Sequence, residues 1–404
     1  MEKADFYRNA RTDCTGPCQG LVVIEITTSW AGPMAGCLLA DFGAEVIKVE
    51  HPAGEVMRRQ PLGIPDSQLM IMHETVNRNK RNVSMDLRDP DGRASFLKLC
   101  ERADVVIENF RPGTLASWGI GYDDVAAVKP DIVYVSISGF GQFGTLSDRA
   151  CYDPVAQNYC GWTSIAGDPD QPPMKAPTFL GDDLAGMHGA LGALAALRHR
   201  DRTGEGQHVD VALIDSLLYA SNGHLTAGAF GIDIPKTGNQ FPKAMPANVF
   251  SCSDGSAYIA TLLDSHWDAM AKLMGRADLT GLRLPERLER REELNALLAD
   301  WCRARPVEEV VDAFAAKGLA ATRVNTYTDV ASEEHTASRD MLQTVRLVDG
   351  VEAPLTGPSV KFSRTPTSIR HPAPSVGQDN EELLGALGSS NEQVQQAEKA
   401  KSRG

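Results

Sequence analysis

The sequence predicts an α/β fold: a Rossmann-like parallel sheet in a large domain, accompanied by a second, smaller α+β domain. Short apolar strands alternate with helical segments through the first half of the chain, and that alternation is the mark of a parallel sheet covered on both faces. The composition shifts near residue 222, where Gly, Pro and Asn become common. The chain has 404 residues, too many for one compact core.

The elements follow in order. Residues 21–26 (LVVIEI) are a short apolar strand, and 28–33 carry turn chemistry. Residues 34–42 are apolar on most faces, as a buried helix is; Gly43 ends it and 45–50 (EVIKVE) form the next strand. Residues 91–103 are amphipathic, with Phe96, Leu97 and Leu99 on one side, and 104–108 (DVVIE) form a strand. A short helix over 122–128 stops before Pro130, and 131–138 (DIVYVSIS) form another strand. Residues 186–198 are rich in Gly and Ala and suit close packing on a neighbour. A turn at 201–207 leads to a strand at 208–212 and a helix at 213–220.

Beyond that point 250–261 (FSCSDGSAYIAT) reads as a hairpin and 266–320 as mostly helical. The Pro-, Ser- and Thr-rich stretch 356–374 reads as extended chain, and 389–404 as a frayed polar end. The domains are therefore 1–221 with 331–404, and 222–330. Ligands of parallel sheets sit at the carboxyl ends of the strands, which directs attention to the loops 28–33, 51–59, 109–114 and 139–153.

Bulk properties exclude several classes. Hydrophobic residues make up 42% and charged residues 23%, ordinary for a globular protein. A net charge of −13 disfavours nucleic-acid and anionic-membrane surfaces. The first twenty residues carry no apolar run, so no secretory leader is expected, and no run is long enough to span a membrane. The eight cysteines are scattered. Cys14 and Cys18 lack a second pair at zinc spacing, so no metal is expected and reduced thiols in a cytoplasm are.

Gly139, Gly141 and Gly144 spell G-x-G-x-x-G after a strand, but turn residues follow where the dinucleotide fingerprint needs a helix. A nicotinamide dehydrogenase is thus a weak reading, and a mobile loop is the better one. Walker, HExxH and GxSxG patterns do not occur. The sharper feature is LGDDLAG at 180–186, an acid pair before a small-residue helix. Asp182 or Asp183 reads first as a helix N-cap. A carboxylate there would also be held ionised by the helix dipole and could attack a thioester without a general base. The two readings are compatible.

The ordered motifs resemble a known family. AGPMAGCLLADFGAEVIKVE (31–50), NRNKRNVSMDLRDPDGR (77–93), ADVVIENFRPG (103–113), SISGFGQFG (136–144), YDPVAQ (152–157) and the run 181–213 are similar to the family III CoA-transferases, a superfamily that includes the α-methylacyl-CoA racemases. The resemblance implies a CoA-transferase with Asp182 as nucleophile, passing through an aspartyl anhydride and an aspartyl-CoA thioester. It implies acyl-CoA and carboxylic acid substrates, no tightly bound cofactor, and an interlocked homodimer. It places coenzyme A contacts at Trp30, Ala31, His51, Met85, Arg88, Asn109, Phe110 and Arg111, with Tyr152 and Asp153 near the pantetheine arm. Arg88, Arg111 and Arg81 are candidate phosphate cations, and Phe110 or Trp30 a candidate adenine wall. Ser117 and Ala150 stand where some members carry basic residues. Amides of the 139–144 loop are candidate oxyanion donors.

The racemase branch needs a histidine where Tyr152 stands, and tyrosine is a poor base at neutral pH. His188 reads as structural. A silent acyl-CoA-binding protein is the rival from another class, and Asp182 argues against it. The segments 228–248 and 139–162 are expected to shape an acceptor pocket with Tyr159, Trp162, Phe241 and Met245, which suits a partly apolar acid.

Overall fold

The structure is a computed structural model, and it describes residues 1–386. The frayed end expected at 389–404 lies outside the described residues. The chain divides into two compact units: Met1–Trp162, Ala176–Leu225 and Glu334–Gly404 form the first, Thr163–Lys175 and Thr226–Glu333 the second.

The first unit is built on a six-stranded sheet whose every pairing is parallel. Its strands are β1 (Val22–Ile26), β2 (Glu45–Glu50), β3 (Lys80–Ser84), β4 (Val105–Glu108), β5 (Val133–Ser138) and β6 (Gln207–Ala212), in the spatial order 3-2-1-4-5-6. Alternate residues feed opposite layers. Val23, Val46, Val105 and Val133 face one buried cluster, while Ile24, Ile47, Val106 and Tyr134 face the other. Burial on both faces is why these strands read as near-continuous apolar runs. The order reverses between β1 and β4, so loops leaving those two strands diverge and open a crevice at their carboxyl ends.

Helices cover both faces beside that crevice. Helix α1 (Ala31–Asp41) starts three residues earlier than its apolar pattern suggests, because Pro33 falls in the first turn, where its missing N–H costs nothing. Helix α2 (Pro90–Cys100) lies on the opposite layer and buries Phe96 and Leu99 there. Helix α3 (Asp153–Tyr159) precedes the long helix α4 (Leu180–Thr203), and α5 (Leu213–Tyr219) follows β6.

The small residues of α4 recur at helical spacing. Ala185, Gly186, Gly189, Ala190, Ala193 and Ala196 are buried, and α4 packs closely on α1. A Cβ on Gly186 would stand 2.8 Å from the Ala31 carbonyl oxygen and from Met34. We expect Gly186→Ala to lower stability by about 1 kcal/mol, since overpacking at roughly 1–3 kcal/mol exceeds the ~1 kcal/mol gained by removing a helix glycine. A urea midpoint that rises instead would contradict this packing.

A chain segment near the end of the described residues finishes the sheet edge. Asp379 and Asn380 accept the free N–H groups of Asn82 and Ser84 on β3, each at 2.8 Å. The stretch 357–374 has no regular structure, as expected, but it is preceded by an antiparallel hairpin, Leu342–Arg346 with Glu352–Thr356, that the sequence does not advertise.

The second unit holds a three-stranded antiparallel sheet of β7 (Ala247–Ser251), β8 (Ser256–Ala260) and β9 (Ala320–Arg323). The 250–261 hairpin forms its first two strands. Helices Asp264–Leu273, Arg291–Arg303 and Val307–Ala315 bury Trp267, Met270, Leu294, Leu298, Val310 and Phe314 in a separate core. An α/β unit with a parallel sheet, together with a smaller α+β unit, is the fold class the sequence predicts.

Candidate active site

The crevice at the strand ends holds a cavity of about 410 Å³ lined by residues that follow β1, β2, β3 and β4. His51, Met85, Arg88 and Phe110, four of the expected coenzyme A contacts, line it together. Trp118 lines it too, with its ring 5.6 Å from that of Phe110 and tilted edge-on. Sequence reasoning missed Trp118; only its placement beside Phe110 reveals it.

The cations divide. Arg88 is exposed, forms a two-point pair with Asp86 at 3.0 Å and reaches His51 at 3.1 Å. Arg111 is exposed and makes no ion pair among the described residues. Arg81 does not belong with them. It sits near the amino end of β3, bound to Glu45, Asp379 and Glu382, and lines a different cavity at the opposite end of the sheet. Two arginines seven positions apart cannot be told apart in sequence when one precedes a strand's middle and the other follows its end.

The remaining expected contacts surround the loop between β1 and α1. Asn109 clasps Thr28 on both sides, accepting its N–H at 2.9 Å and donating to its carbonyl at 2.8 Å. Ala31 opens α1 and is buried. The Trp30 indole N–H donates to Asp183 at 2.6 Å, and its ring meets Phe179 edge-on.

Asp182 lies in the first turn of α4 but caps nothing. The cap comes from a distance: Asp153, buried on α3, accepts the Gly181 N–H at 2.7 Å through one oxygen and the Gln157 amide at 2.7 Å through the other. Asp153 is therefore wholly engaged within the protein, whereas Tyr152 beside it is 76% exposed. No hydrogen bond among the described residues reaches the Asp182 carboxylate, and this leaves its lone pairs unencumbered.

Its charge state also differs from expectation. Burial, then the nearby charges of Asp153 and Asp183, push Asp182 up to about 7. The helix dipole, worth only ~0.3–1 kcal/mol at a terminus, loses to desolvation and two like charges. Asp183 is also raised by burial, with the Trp30 hydrogen bond opposing.

The glycine loop 139–144 packs against this site. A Cβ on Gly139 would collide with the Cys151 Cβ at 2.1 Å, and the Cys151 thiol is pushed up to about 11 by burial and then by Asp182 and Asp153. Two of its amides are already spent: Gly141 donates to Ser138 and Gln142 to Asp210. They are not available as the oxyanion donors the sequence suggested. His188 meets exposed Tyr219 edge-on. Of the residues expected near an acceptor, Tyr159 is exposed and meets Phe140, and the Trp162 indole is tied to the Leu217 carbonyl. Phe241 is half-exposed in the second unit; Met245 is fully buried in that unit's core and offers no lining surface.

A carboxylate that no hydrogen bond among the described residues reaches stands at a helix start, in the same unit as a strand-end cavity with an aromatic pair and a cation. The chain belongs to CoA-transferase family III, whose profile matches residues 18–380. It is 35% identical to the succinyl-CoA:mesaconate CoA-transferase of Haloarcula marismortui, over 92% of this chain and 97% of that one. It is 34% identical to the succinyl-CoA–D-citramalate CoA-transferase of Chloroflexus aurantiacus (92% and 94% covered), and 31% to the succinate–glutarate CoA-transferase of Agrobacterium fabrum (92% and 96%). Among solved structures, a CAIB/BAIF family protein from Brucella suis superposes with a TM-score of 0.82 at 31% identity, covering 92% of this chain and all of that one. The protein is a CoA-transferase, moving CoA between an acyl-CoA and a carboxylate.

Proposed function

We propose that Asp182 is the nucleophile and that the chain transfers CoA from succinyl-CoA to a small dicarboxylic acid. The single observation that carries the assignment is an Asp182 carboxylate that no hydrogen bond among the described residues reaches, in the first turn of a helix already capped by Asp153. One Asp182 oxygen attacks the thioester carbonyl, and the C–S bond breaks to release CoA thiolate and leave a mixed anhydride. The thiolate then attacks the Asp182 carboxyl carbon, expelling the donor acid and forming an aspartyl-CoA thioester. The acceptor carboxylate repeats both steps in reverse, so each activated acyl group replaces another and no phosphate donor is consumed. Mesaconate, citramalate and glutarate, named in the relatives, support a dicarboxylic acceptor over the partly apolar acid suggested by sequence.

The cavity of His51, Met85, Arg88, Phe110 and Trp118 would take the coenzyme A nucleotide, with Arg111 free to reach a phosphate. Trp30, Ala31 and Asn109 shape the loop between that cavity and Asp182. Exposed Tyr152 would meet the pantetheine arm, and Asp153 would act by fixing the start of α4. Eight free cysteines support a cytoplasmic setting. Exposed Met187, Leu191 and Tyr219 on the first unit support a homodimer.

Incubation with succinyl-CoA and hydroxylamine should convert Asp182 to a hydroxamate, read by peptide mass spectrometry. An unmodified Asp182 peptide from a chain that turns over would sink the covalent proposal. The first half-reaction should also depend on pH. Because the anion attacks and the group titrates at about 7, its rate should fall about tenfold per unit below that value and level off above it. A flat profile from pH 5 to 8 would exclude Asp182 as the titrating group.

A further inference from the structure

We propose that Glu55 is a positioning residue for CoA transfer: it holds Ser29 in a left-handed conformation and so sets Trp30 against Asp183, next to the nucleophile. The assignment of that nucleophile rests on the reading of Asp182 above.

Ser29 has a φ of 66°, a region that residues with a Cβ enter only at a cost and glycine enters freely. A buried carboxylate compensates. One Glu55 oxygen accepts the Ser29 N–H at 2.9 Å and the Thr28 hydroxyl at 3.2 Å. The other accepts the Asn77 amide at 3.3 Å and lies 3.7 Å from the Lys48 ammonium. Glu55 is itself fixed, since its N–H donates at 2.7 Å to Glu50, which Arg58 grips with two nitrogens. Asn109 clasps the same loop at Thr28. With the backbone locked at 28 and 29, the next residue delivers its indole N–H to Asp183 at 2.6 Å. Asp183 directly follows Asp182 in the first turn of α4. Glu55 also lines the 410 Å³ cavity, so one side chain connects the proposed nucleotide wall to the reacting end.

A double-mutant cycle of Glu55→Gln, Ser29→Gly and their combination tests this, read by succinyl-CoA transfer kinetics, thermal melting and hydrogen exchange. Loss of the charge-assisted bond should lower kcat roughly 10- to 100-fold in the Gln variant, more than it changes KM for succinyl-CoA. Glycine reaches the left-handed region unaided, so the combined variant should regain roughly tenfold in kcat while its melting temperature stays at or below that of Glu55→Gln. A merely structural Glu55 would show no such recovery. A Gln variant with wild-type kcat, or a combined variant no faster than it, overturns the proposal. Exchange of the 27–34 amides reads the same contact without turnover. Faster exchange in Glu55→Gln supports the proposal, and unchanged protection overturns it even in a chain that transfers nothing. A wild-type chain without transfer activity would instead overturn the reading of Asp182.

Discussion

Asp182→Asn is expected to lose at least ~10⁴-fold in transfer rate, because removing a nucleophile removes the covalent route itself. Acyl-CoA binding should survive, since the strand-end cavity does not include residue 182. The same change should make the protein more stable. Asp182 binds its proton more tightly folded, at about 7, than in an unfolded chain, near ~3.9. Between those values the folded state holds the extra proton, so this group's contribution to stability falls as pH rises from about 4 to 7 and stays unfavourable above. Asparagine has no charge to desolvate or to set against Asp153 and Asp183. The gain should be on the order of 2 kcal/mol at pH 8 and vanish near pH 4. Calorimetric binding, transfer assays and denaturant melts at both pH values check all three statements. A variant that is inactive but less stable at pH 8 would show that the site is not electrostatically strained.

The second large effect is predicted in the sheet. Lys48 on β2 is fully buried and donates at 3.0 Å to both Glu25 and the Thr27 carbonyl, with Glu55 at 3.7 Å. Burial would depress its pKa, but Glu25, Glu55 and Glu50 outweigh that and hold it raised. Lys80 reaches Glu25 from the other side at 2.6 Å. Lys48→Met should cost roughly 3–5 kcal/mol, because it strands carboxylate charge in the core. The exposed Asp300–Arg303 pair is shorter than the Lys48 contacts, at 2.6 Å, yet breaking it with Arg303→Ala should cost under ~1 kcal/mol, since water screens it. Urea midpoints for the two variants decide the comparison. Equal losses would mean the buried set is not ionised as a group.

What was legible in the sequence was what local chemistry determines. β4 and β5 announce themselves as short apolar runs, and α4 by its Gly and Ala at helical spacing. β3 does not, because Lys80, Arg81 and Asn82 are satisfied by Glu25, Glu45 and Glu50, all distant in sequence. Asp182 could not be distinguished from a helix cap, since the true cap, Asp153, lies 28 residues before the amide it serves. Its raised pKa likewise follows first from burial and then from the approach of Asp153, neither of which local sequence shows. Glu55 carries no signal at all within AGEVMRR; its meaning lies in the strained serine it faces.

The β3 edge bears on how the chain reaches its folded state. The partner of the Ser84 amide arrives 296 residues later. At a synthesis rate of ~5–20 residues per second, the newborn sheet waits roughly 15–60 s with an open flank. An open parallel flank is a template for strand addition by other chains. Residues 375–384 therefore act as a late closure, and translation arrested before residue 379 should yield a first unit that lacks Leu383 and Leu384 from one core layer and is prone to associate along β3.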